Sequence, residues 1–226
     1  MKRVVVLTGA GVSAESGINT FRDANGLWEG HDVMEVASPM GWEKNQELVL
    51  DFYNKRRRQL KTVEPNSAHT ALKSLEEKYD VQIITQNVDD LHERAGSKNV
   101  IHLHGELKKV RSTFDEDLIL DWEEDLQKGD FCEHNHQLRP HIVWFGEAVP
   151  MMEKAMEVTS QADILIIIGT SMQVYPAAGL IHYAPEGIPV YFIDQKPAIE
   201  PKKNLKVIAE KASVGVPQVV SELLRE

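Results

Sequence analysis

Short runs of apolar, often β-branched residues recur along the chain. Polar and apolar positions do not alternate within them, which is typical of strands buried on both faces of a parallel sheet. The predicted strands are residues 4–7, 81–85, 100–103, 141–145, 164–168 and 189–193. Helical periodicity lies between several of them, at 66–79 and 151–160, and a last helix is predicted over 217–225 with Pro217 in its first turn. The order favours an α/β fold, a Rossmann-like parallel sheet with helices on both faces.

Two segments interrupt this alternation. Residues 31–64 have helical patterns without a strand, with Ser38 and Pro39 at a predicted helix start. Residues 108–138 are polar, acidic and poor in strand signals. We expect both to be insertions that form a small lobe, while residues 1–30, 65–107 and 139–226 form the nucleotide-binding domain.

Composition narrows the functional classes. A chain of 226 residues is long enough for one sizeable domain with a small inserted module. Its net charge of −10 argues against direct binding of nucleic acid. The single cysteine, Cys132, cannot form an internal disulfide, which favours a reducing compartment. The N-terminus lacks signal-peptide features and no apolar run approaches about 20 residues, so we expect a cytoplasmic protein that does not enter a membrane.

A glycine-rich turn follows the first predicted strand. Gly9, Gly11 and Ala14 form G-x-G-x-x-A between a strand and a predicted helix, the context of a dinucleotide-binding loop. Glycines there let backbone amides approach a pyrophosphate. A plain glycine turn is the alternative interpretation.

Two later strands also end in residues that suit a nucleotide. The strand at 164–168 leads into Gly169, Thr170 and Ser171, and the strand at 189–193 leads into Asp194. Nucleotides bind beyond the carboxyl ends of such strands. A carboxylate there can accept hydrogen bonds from both ribose hydroxyls, which favours NAD over NADP, although Asp194 could equally be a turn residue or a helix cap.

Polar clusters follow the strands at 81–85 and 100–103. Gln86, Asn87 and Asp89 follow the first, and His104 follows the second. A histidine beside a nucleotide crevice is a candidate general base because its pKa is near neutrality. A structural role is the alternative for an isolated histidine.

The motifs GAGVSAESGI, FRDANGLW, TQNVDDLH, HLHGEL, RPHIVWFGE and GTS occur in this order. Together they resemble the sirtuins, NAD-dependent protein lysine deacylases, from about residue 3 to the C-terminus. The likeness is greatest to bacterial class III members of the desuccinylase type. It implies a Rossmann-like domain with a small lobe, NAD as co-substrate and acylated protein lysines as partners.

The resemblance also implies roles for individual residues. His104 would be the general base and Asn87 a second catalytic residue. NAD would contact residues at the strand ends, with Phe21 and Arg22 over the nicotinamide. That implied set is Gly9, Ala10, Gly11, Ala14, Phe21, Arg22, Gln86, Asn87, Asp89, Gly169, Thr170, Ser171, Asp194 and Ala212.

The same resemblance implies an acyl-lysine tunnel and a reaction. The tunnel or the peptide backbone would contact Val143, Phe145, Gly146 and Glu147. The acyl group would pass from lysine to ADP-ribose with release of nicotinamide, and His104 would activate a ribose hydroxyl.

Two positions depart from the family pattern. Many sirtuins hold zinc with two CxxC pairs, but Ser112 stands where the first cysteine is expected. Cys132, His134 and His136 are spaced unusually for ligands, so we predict no structural zinc and a module held by apolar packing. Asp194 stands where the family often has Asn-x-Glu.

The basic residues of the stretch DFYNKRRRQL fall on different faces when the stretch is placed on a helix over 42–60 at about 100° per residue. Arg56 falls within the apolar stripe together with Tyr53, whereas Lys55, Arg57 and Arg58 are predicted to face solvent. A guanidinium on a buried face is costly unless it meets an anion. Arg56 could instead extend to solvent or pair with an internal acid.

In class III sirtuins a Y-x-x-R pair binds the carboxylate of succinyl-, malonyl- or glutaryl-lysine, and Tyr53 and Arg56 match that pair. The small Ala24 would leave room in the acyl pocket. The resemblance therefore implies a deacylase that prefers acidic acyl groups and also removes acetyl. We expect the protein to be a monomer.

Three alternatives remain. They are a broad deacetylase, a mono-ADP-ribosyltransferase, and a non-catalytic module that senses NAD or ADP-ribose. A binding module has no need of a base, so His104 and Asn87 argue against it.

Overall fold

The computed structural model describes residues 1–19, 27–197 and 199–225. Its strands are β1 (Arg3–Thr8), β2 (Leu27–Trp28), β3 (His31–Asp32), β4 (Asp80–Thr85), β5 (Val100–His102), β6 (Gly105–Ser112), β7 (Ile119–Asp121), β8 (Leu138–Ile142), β9 (Ile164–Ile168), β10 (Val190–Ile193) and β11 (Leu205–Ile208). Its α-helices are α1 (Val33–Val36), α2 (Pro39–Lys44), α3 (Gln46–Leu60), α4 (Ser67–Leu75), α5 (Leu91–Arg94), α6 (Met152–Thr159) and α7 (Ala212–Arg225). Short 3-10 helices cover Ala10–Val12, Ala14–Ser16 and Ala177–Tyr183.

A six-stranded parallel sheet organises the larger part of the chain, in the order β11-β10-β9-β1-β4-β5. Within this sheet, the next strand along the chain after β1 is β4, which lies on one side of β1. The next strand after β9 is β10, which lies in the opposite direction across the sheet. The boundary between β1 and β9 is therefore the topological switch point, where ligands of such sheets bind. The predicted parallel α/β sheet is confirmed, with β11 as a strand that the sequence analysis missed.

Alternate side chains of β1 enter different cores. Val4 and Val6 pack with residues of α4 and α7, whereas Val5 and Leu7 pack with residues of α6 and the 3-10 helix Ala177–Tyr183. Both faces of the sheet are thus covered, which explains why its strands read as continuous apolar runs. None of the helices in the described ranges is long and apolar enough to cross a membrane.

The prediction of few strands within 108–138 was wrong. β6, β7 and β8 form a three-stranded antiparallel sheet in the order β7-β6-β8. The segment 141–145, predicted as a strand of the large sheet, contributes only its first two residues to β8 of this small sheet. Gly105 allows β6 to start against β8, because a Cβ there would lie 2.0 Å from the His141 carbonyl oxygen.

The helices of segment 31–64 are present, although β3 adds a two-residue strand that was not predicted. The predicted helix over 42–60 is divided at Asn45. The Asn45 side chain accepts a hydrogen bond from the Leu48 amide and caps α3, which separates α3 from α2. Side chains of α3 share one apolar core with residues of the small sheet, including Val110 and Leu138.

The last helix begins at Ala212 rather than at Pro217, so the proline lies inside it. Pro217 has no N–H to donate to the carbonyl of Ser213. The Ser67 hydroxyl donates to that carbonyl instead, at 2.7 Å. A contact from another helix therefore satisfies the acceptor that the proline leaves open.

Candidate active site

The glycine turn after β1 packs against the turn after β9. The Gly9 amide donates to the Ile168 carbonyl and the Gly11 amide to the Gly169 carbonyl, both at 2.9 Å. A Cβ on Gly11 would lie 2.6 Å from the Gly169 Cα. These two amides are therefore bonded within the protein. The glycines allow the two turns to meet at the switch point, a different reason from the amide donation expected from the sequence.

The rest of the loop consists of two single-turn 3-10 helices that carry Ala10 and Ala14 at half-buried positions. Across the crevice, the Gln86 side-chain amide donates to the Thr170 hydroxyl at 3.3 Å. Ser171 is half-buried beside it. Residues predicted from β1, β4 and β9 are thus brought to one edge of the sheet.

Asp194 lies at the end of β10, on the same edge. It is 5% exposed, and its carboxylate accepts a hydrogen bond from the Lys196 amide at 2.8 Å. That contact is the turn geometry considered as an alternative. Ala212 is buried at the start of α7.

Asn87 and Asp89 meet at the hydroxyl of Ser13, which the sequence analysis did not single out. The Asn87 side-chain amide donates to the Ser13 oxygen at 3.1 Å, and Ser13 also hydrogen-bonds Asp89. Burial raises the pKa of Asp89, partly offset by hydrogen bonds from the Leu91 amide and Ser13. The serine in GAGVSAESGI was visible as part of the motif, but its partners were not.

His104 has a defined tautomer. Its Nδ1 lies 3.0 Å from the Gln86 carbonyl oxygen, which can only accept, so Nδ1 carries the proton and Nε2 has a free lone pair. Burial lowers the pKa of His104, and the hydrogen bond to Gln86 offsets only part of this effect. The ring is therefore neutral near pH 7 and able to accept a proton at Nε2.

His102 has acceptors at both ring nitrogens. Nδ1 lies 3.1 Å from the Asn87 carbonyl oxygen and Nε2 lies 2.8 Å from a Glu93 carboxylate oxygen. Burial lowers the pKa of His102, but the hydrogen bond and charge of Glu93 outweigh it, so the net shift is upward. His102 thereby connects α5 to the backbone of Asn87.

A second buried group underlies the glycine loop and was also missed. His92 Nε2 lies 3.2 Å from the Thr8 hydroxyl, and the His92 and His69 rings are 4.8 Å apart. The Asn66 amide donates to His69 Nδ1 at 3.2 Å, and the Asn66 side chain donates to the Val12 carbonyl at 2.9 Å. Burial lowers the pKa of His69 to about 4 and holds that of His92 well below its usual range.

Arg56 is 7% exposed and lies on the inner face of α3, as predicted. Its guanidinium carbon is 4.3 Å from the centre of the Trp28 ring. The Nε and Nη1 atoms are buried without a hydrogen-bond partner in the described part of the chain. The nearest described carboxylate is Glu29, at 3.8 Å from Nη1. Burial lowers the pKa of Arg56, opposed mainly by the neighbouring Tyr53 and Glu29.

Tyr53 is fully buried next to Arg56. Its hydroxyl oxygen accepts a hydrogen bond from Trp144 Nε1 at 3.1 Å. Burial raises the pKa of the Tyr53 hydroxyl, so the group remains protonated and can act as a donor. Tyr53 and Arg56 therefore place a hydroxyl and a guanidinium together in the interior.

The prediction that Arg57 faces solvent was wrong. Arg57 is 1% exposed, its Nε donates to the Leu107 carbonyl at 2.8 Å, and its Nη1 donates to Asn54 Oδ1 at 2.7 Å. It connects α3 to the small sheet. Lys55 and Arg58 do lie at the surface, where they pair with carboxylates of Asp51 and Asp125.

The loop after β8 carries the residues predicted for acyl-lysine. The Val143 amide donates to the His104 carbonyl and the Phe145 amide to the Ala37 carbonyl, both at 2.9 Å. Phe145 is exposed, and Gly146 has a positive φ of 92° with open space around it. The loop thus lies between the candidate base and the small lobe.

Glu147 makes its contacts inside the protein. Its carboxylate receives hydrogen bonds from Arg139 at 2.6 and 3.2 Å, from Arg111 at 3.2 Å and from the Trp144 amide at 2.8 Å. Burial raises the pKa of Glu147, but Arg139 and the Trp144 amide outweigh this effect, so the net shift is downward. These contacts fix the conformation of the loop.

Phe21, Arg22 and Ala24, predicted to contact nicotinamide or the acyl group, lie outside the described residues.

The side chains that would replace a zinc site do not converge. Cys132 Sγ donates to the Ser112 hydroxyl at 3.4 Å, and His136 stacks on Phe114 with ring centres 4.4 Å apart. His134 is exposed. Within residues 1–19, 27–197 and 199–225, no group of three or more His, Cys, Asp or Glu side chains is placed to hold a metal ion. The residues of the small sheet therefore do not fit the family's zinc.

We expect purified protein to contain far less than one zinc per chain, and a chelator such as EDTA to leave its melting temperature unchanged. The reason is that the side chains of Cys132, His134 and His136 do not converge on one point, whereas backbone hydrogen bonds already join the strands of the small sheet. Elemental analysis before chelation and a thermal melt after it check this. One zinc per chain together with a lowered melting temperature would contradict it.

Comparison with known proteins agrees with this architecture. The Sir2 family profile matches residues 9–176. An "NAD-dependent protein deacylase" of Helicobacter pylori (strain ATCC 700392 / 26695) is 57% identical over 225 residues, covering 99% of this chain and 98% of the relative. A solved Sir2 homologue–NAD complex has a TM-score of 0.88 at 40% identity, covering 99% of this chain and 90% of that one. A mutant Sir2 homologue bound to ADP-ribose has a TM-score of 0.90 at 38% identity, with 99% and 92% covered. On the matched profile and the near full-length relative, the chain belongs to the Sir2 family.

Proposed function

We propose that this protein is an NAD-dependent protein lysine deacylase that prefers acyl groups ending in a carboxylate. The observation that carries the acyl preference is Arg56, a buried guanidinium with two nitrogens that lack hydrogen-bond partners among the described residues. Leaving such donors unsatisfied costs free energy, and a substrate carboxylate would satisfy them. Tyr53 adds a neutral donor beside it.

The NAD site of the proposal is the crevice between the ends of β1 and β9. Support comes from the glycine turns that meet there, the donors of Gln86 and Asn87, and the carboxylate of Asp194 one strand further along. Bound NAD supplies an activated ribose carbon with nicotinamide as the leaving group. The relatives named as NAD-dependent deacylases support this assignment.

His104 is proposed as the general base. Its neutral ring presents Nε2 as the accepting atom while Gln86 holds the opposite nitrogen. Asn87 is proposed to orient the reacting ribose, with Ser13 fixing its side-chain amide. The proposed reactants are the acylated lysine, NAD and one water molecule, and the products are the deacylated lysine side chain, nicotinamide and O-acyl-ADP-ribose.

The proposed peptide site includes the loop after β8. Val143, Phe145 and Gly146 would contact the acyl-lysine or its backbone, and Glu147 would act by holding the loop. Phe21, Arg22 and Ala24 enter the proposal from the sirtuin resemblance alone.

Peptides that carry acetyl-, malonyl-, succinyl- or glutaryl-lysine, assayed with and without NAD, test this proposal. We expect the deacylated peptide to form only when NAD is present. We also expect a higher kcat/KM for the peptides with the three acidic acyl groups than for the acetylated peptide. Mass spectrometry of the peptide and of nicotinamide provides the measurement. Formation of the deacylated peptide without NAD would refute the proposed reaction.

A broad deacetylase is the second candidate, because Glu29 lies 3.8 Å from Arg56 and could serve as its permanent counter-ion. Equal kcat/KM for acetyl and acidic peptides in the same assay would favour this candidate.

A further inference from the structure

The loop residue Trp144 contacts Tyr53 of the proposed acyl pocket, and no role follows for it from the motif alone. Its indole nitrogen lies 3.1 Å from the Tyr53 hydroxyl oxygen, and both side chains are buried. An indole N–H can only donate. Trp144 is therefore the donor and the Tyr53 oxygen the acceptor.

This direction constrains the Tyr53 proton. The O–H bond of Tyr53 cannot point at Trp144, since two donors would then face each other. The bond to Trp144 is the one hydrogen bond that the Tyr53 hydroxyl makes among the described residues. Its proton is thus turned away from Trp144 and needs an acceptor, as do the buried Nε and Nη1 donors of Arg56.

Trp144 is itself held firmly. The Arg139 guanidinium carbon lies 3.3 Å from the centre of the Trp144 ring, and Trp42 lies 5.8 Å away, centre to centre. Glu147 bonds both Arg139 and the Trp144 amide. The indole N–H is therefore a fixed donor rather than one side chain of a mobile loop.

We propose that Trp144 is a positioning residue for acidic acyl groups: its N–H directs the Tyr53 hydroxyl proton toward the substrate carboxylate that Arg56 pairs with. This inference rests on the proposed acyl preference. Trp144 touches no substrate in this scheme and acts only through Tyr53. Removing its N–H would free the Tyr53 hydroxyl to rotate away from the carboxylate.

The test is Trp144→Phe, which keeps an aromatic ring and deletes the N–H. We expect the ratio of KM for succinyl-lysine to KM for acetyl-lysine to rise by about tenfold, the size of one hydrogen bond to a charged network. Trp122→Phe is the matched control, since it deletes an indole N–H at the edge of the same apolar core that makes no hydrogen bond to Tyr53; its ratio should stay near wild type. A loss of folded protein lowers the apparent kcat for both peptides but leaves this KM ratio unchanged.

A double-mutant cycle separates positioning from packing. In a Tyr53→Phe background, Trp144→Phe should change the ratio no further, because the group through which it acts is gone. Equal effects of Trp144→Phe in both backgrounds, or none in the wild type, would overturn the inference.

Arg56→Met in the same assay shows whether a negative result concerns the role of Trp144 or the proposed acyl preference itself. If Arg56→Met raises the ratio and Trp144→Phe does not, the inference about Trp144 fails alone. If Arg56→Met leaves the ratio unchanged, the acyl preference itself fails and the role of Trp144 fails with it.

Discussion

His104→Ala is expected to reduce turnover by a factor on the order of 10² to 10⁴, the usual contribution of a general base. Affinity for NAD should remain within a few fold of wild type. The described contacts of the ring explain this separation: Nδ1 bonds the Gln86 carbonyl, and the glycine turns are held by their own backbone bonds to the end of β9. Initial rates with saturating NAD, together with calorimetric titration of NAD, measure the two quantities.

His182→Ala is a suitable control, because it makes the same side-chain change at an exposed position of the 3-10 helix Ala177–Tyr183. It should alter neither quantity. Retention of turnover in His104→Ala would identify another group as the base. A loss of NAD affinity as large as the loss of turnover would instead make His104 a structural residue.

The large sheet could be predicted because burial on both faces imposes a direct pattern on the sequence. β1, β9 and β10 contain continuous runs of apolar residues, and β4 contains Val81, Ile83 and Ile84, so their positions follow from that pattern. β11 contains an exposed lysine, Lys206, and so lacked the signal. β6 is rich in charged residues and β7 is exposed along its whole length, which is why the same criterion missed both.

The site could be predicted as a set of strand ends, but its internal contacts could not. Helical projection placed Arg56 correctly because the apolar stripe of α3 marks the buried side. It misplaced Arg57, because the projection contains no information about the Leu107 carbonyl or the Asn54 side chain that stabilise a buried guanidinium. The same limit applies to Ser13, whose partners are separated from it by more than 70 residues of chain.

Arg56→Met is expected to raise KM for succinyl-lysine peptides while changing KM for acetyl-lysine by much less. Removing one partner of a buried, hydrogen-bonded charge pair costs about 2–5 kcal/mol, or roughly 30-fold to several thousand-fold in affinity at 1.4 kcal/mol per tenfold. Methionine keeps much of the length of arginine, so its thioether can pack on the Trp28 ring in place of the guanidinium. Initial-rate kinetics with both peptides at saturating NAD give the two KM values.

The stability of the same variant gives an independent argument. In the free protein the Nε and Nη1 donors of Arg56 lack hydrogen-bond partners among the described residues, and burying a charge without good partners is costly. Arg56→Met should therefore leave the free energy of unfolding unchanged or raise it while acidic-acyl recognition is lost. Arg58→Met, two positions along α3 with a side chain 56% exposed beside Asp125, makes the same chemical change at the surface and should affect neither KM. Equal increases of KM for both peptides in Arg56→Met would mean that the protein is a broad deacetylase. A large loss of stability would mean that Arg56 supports the fold, with Glu29 as its partner.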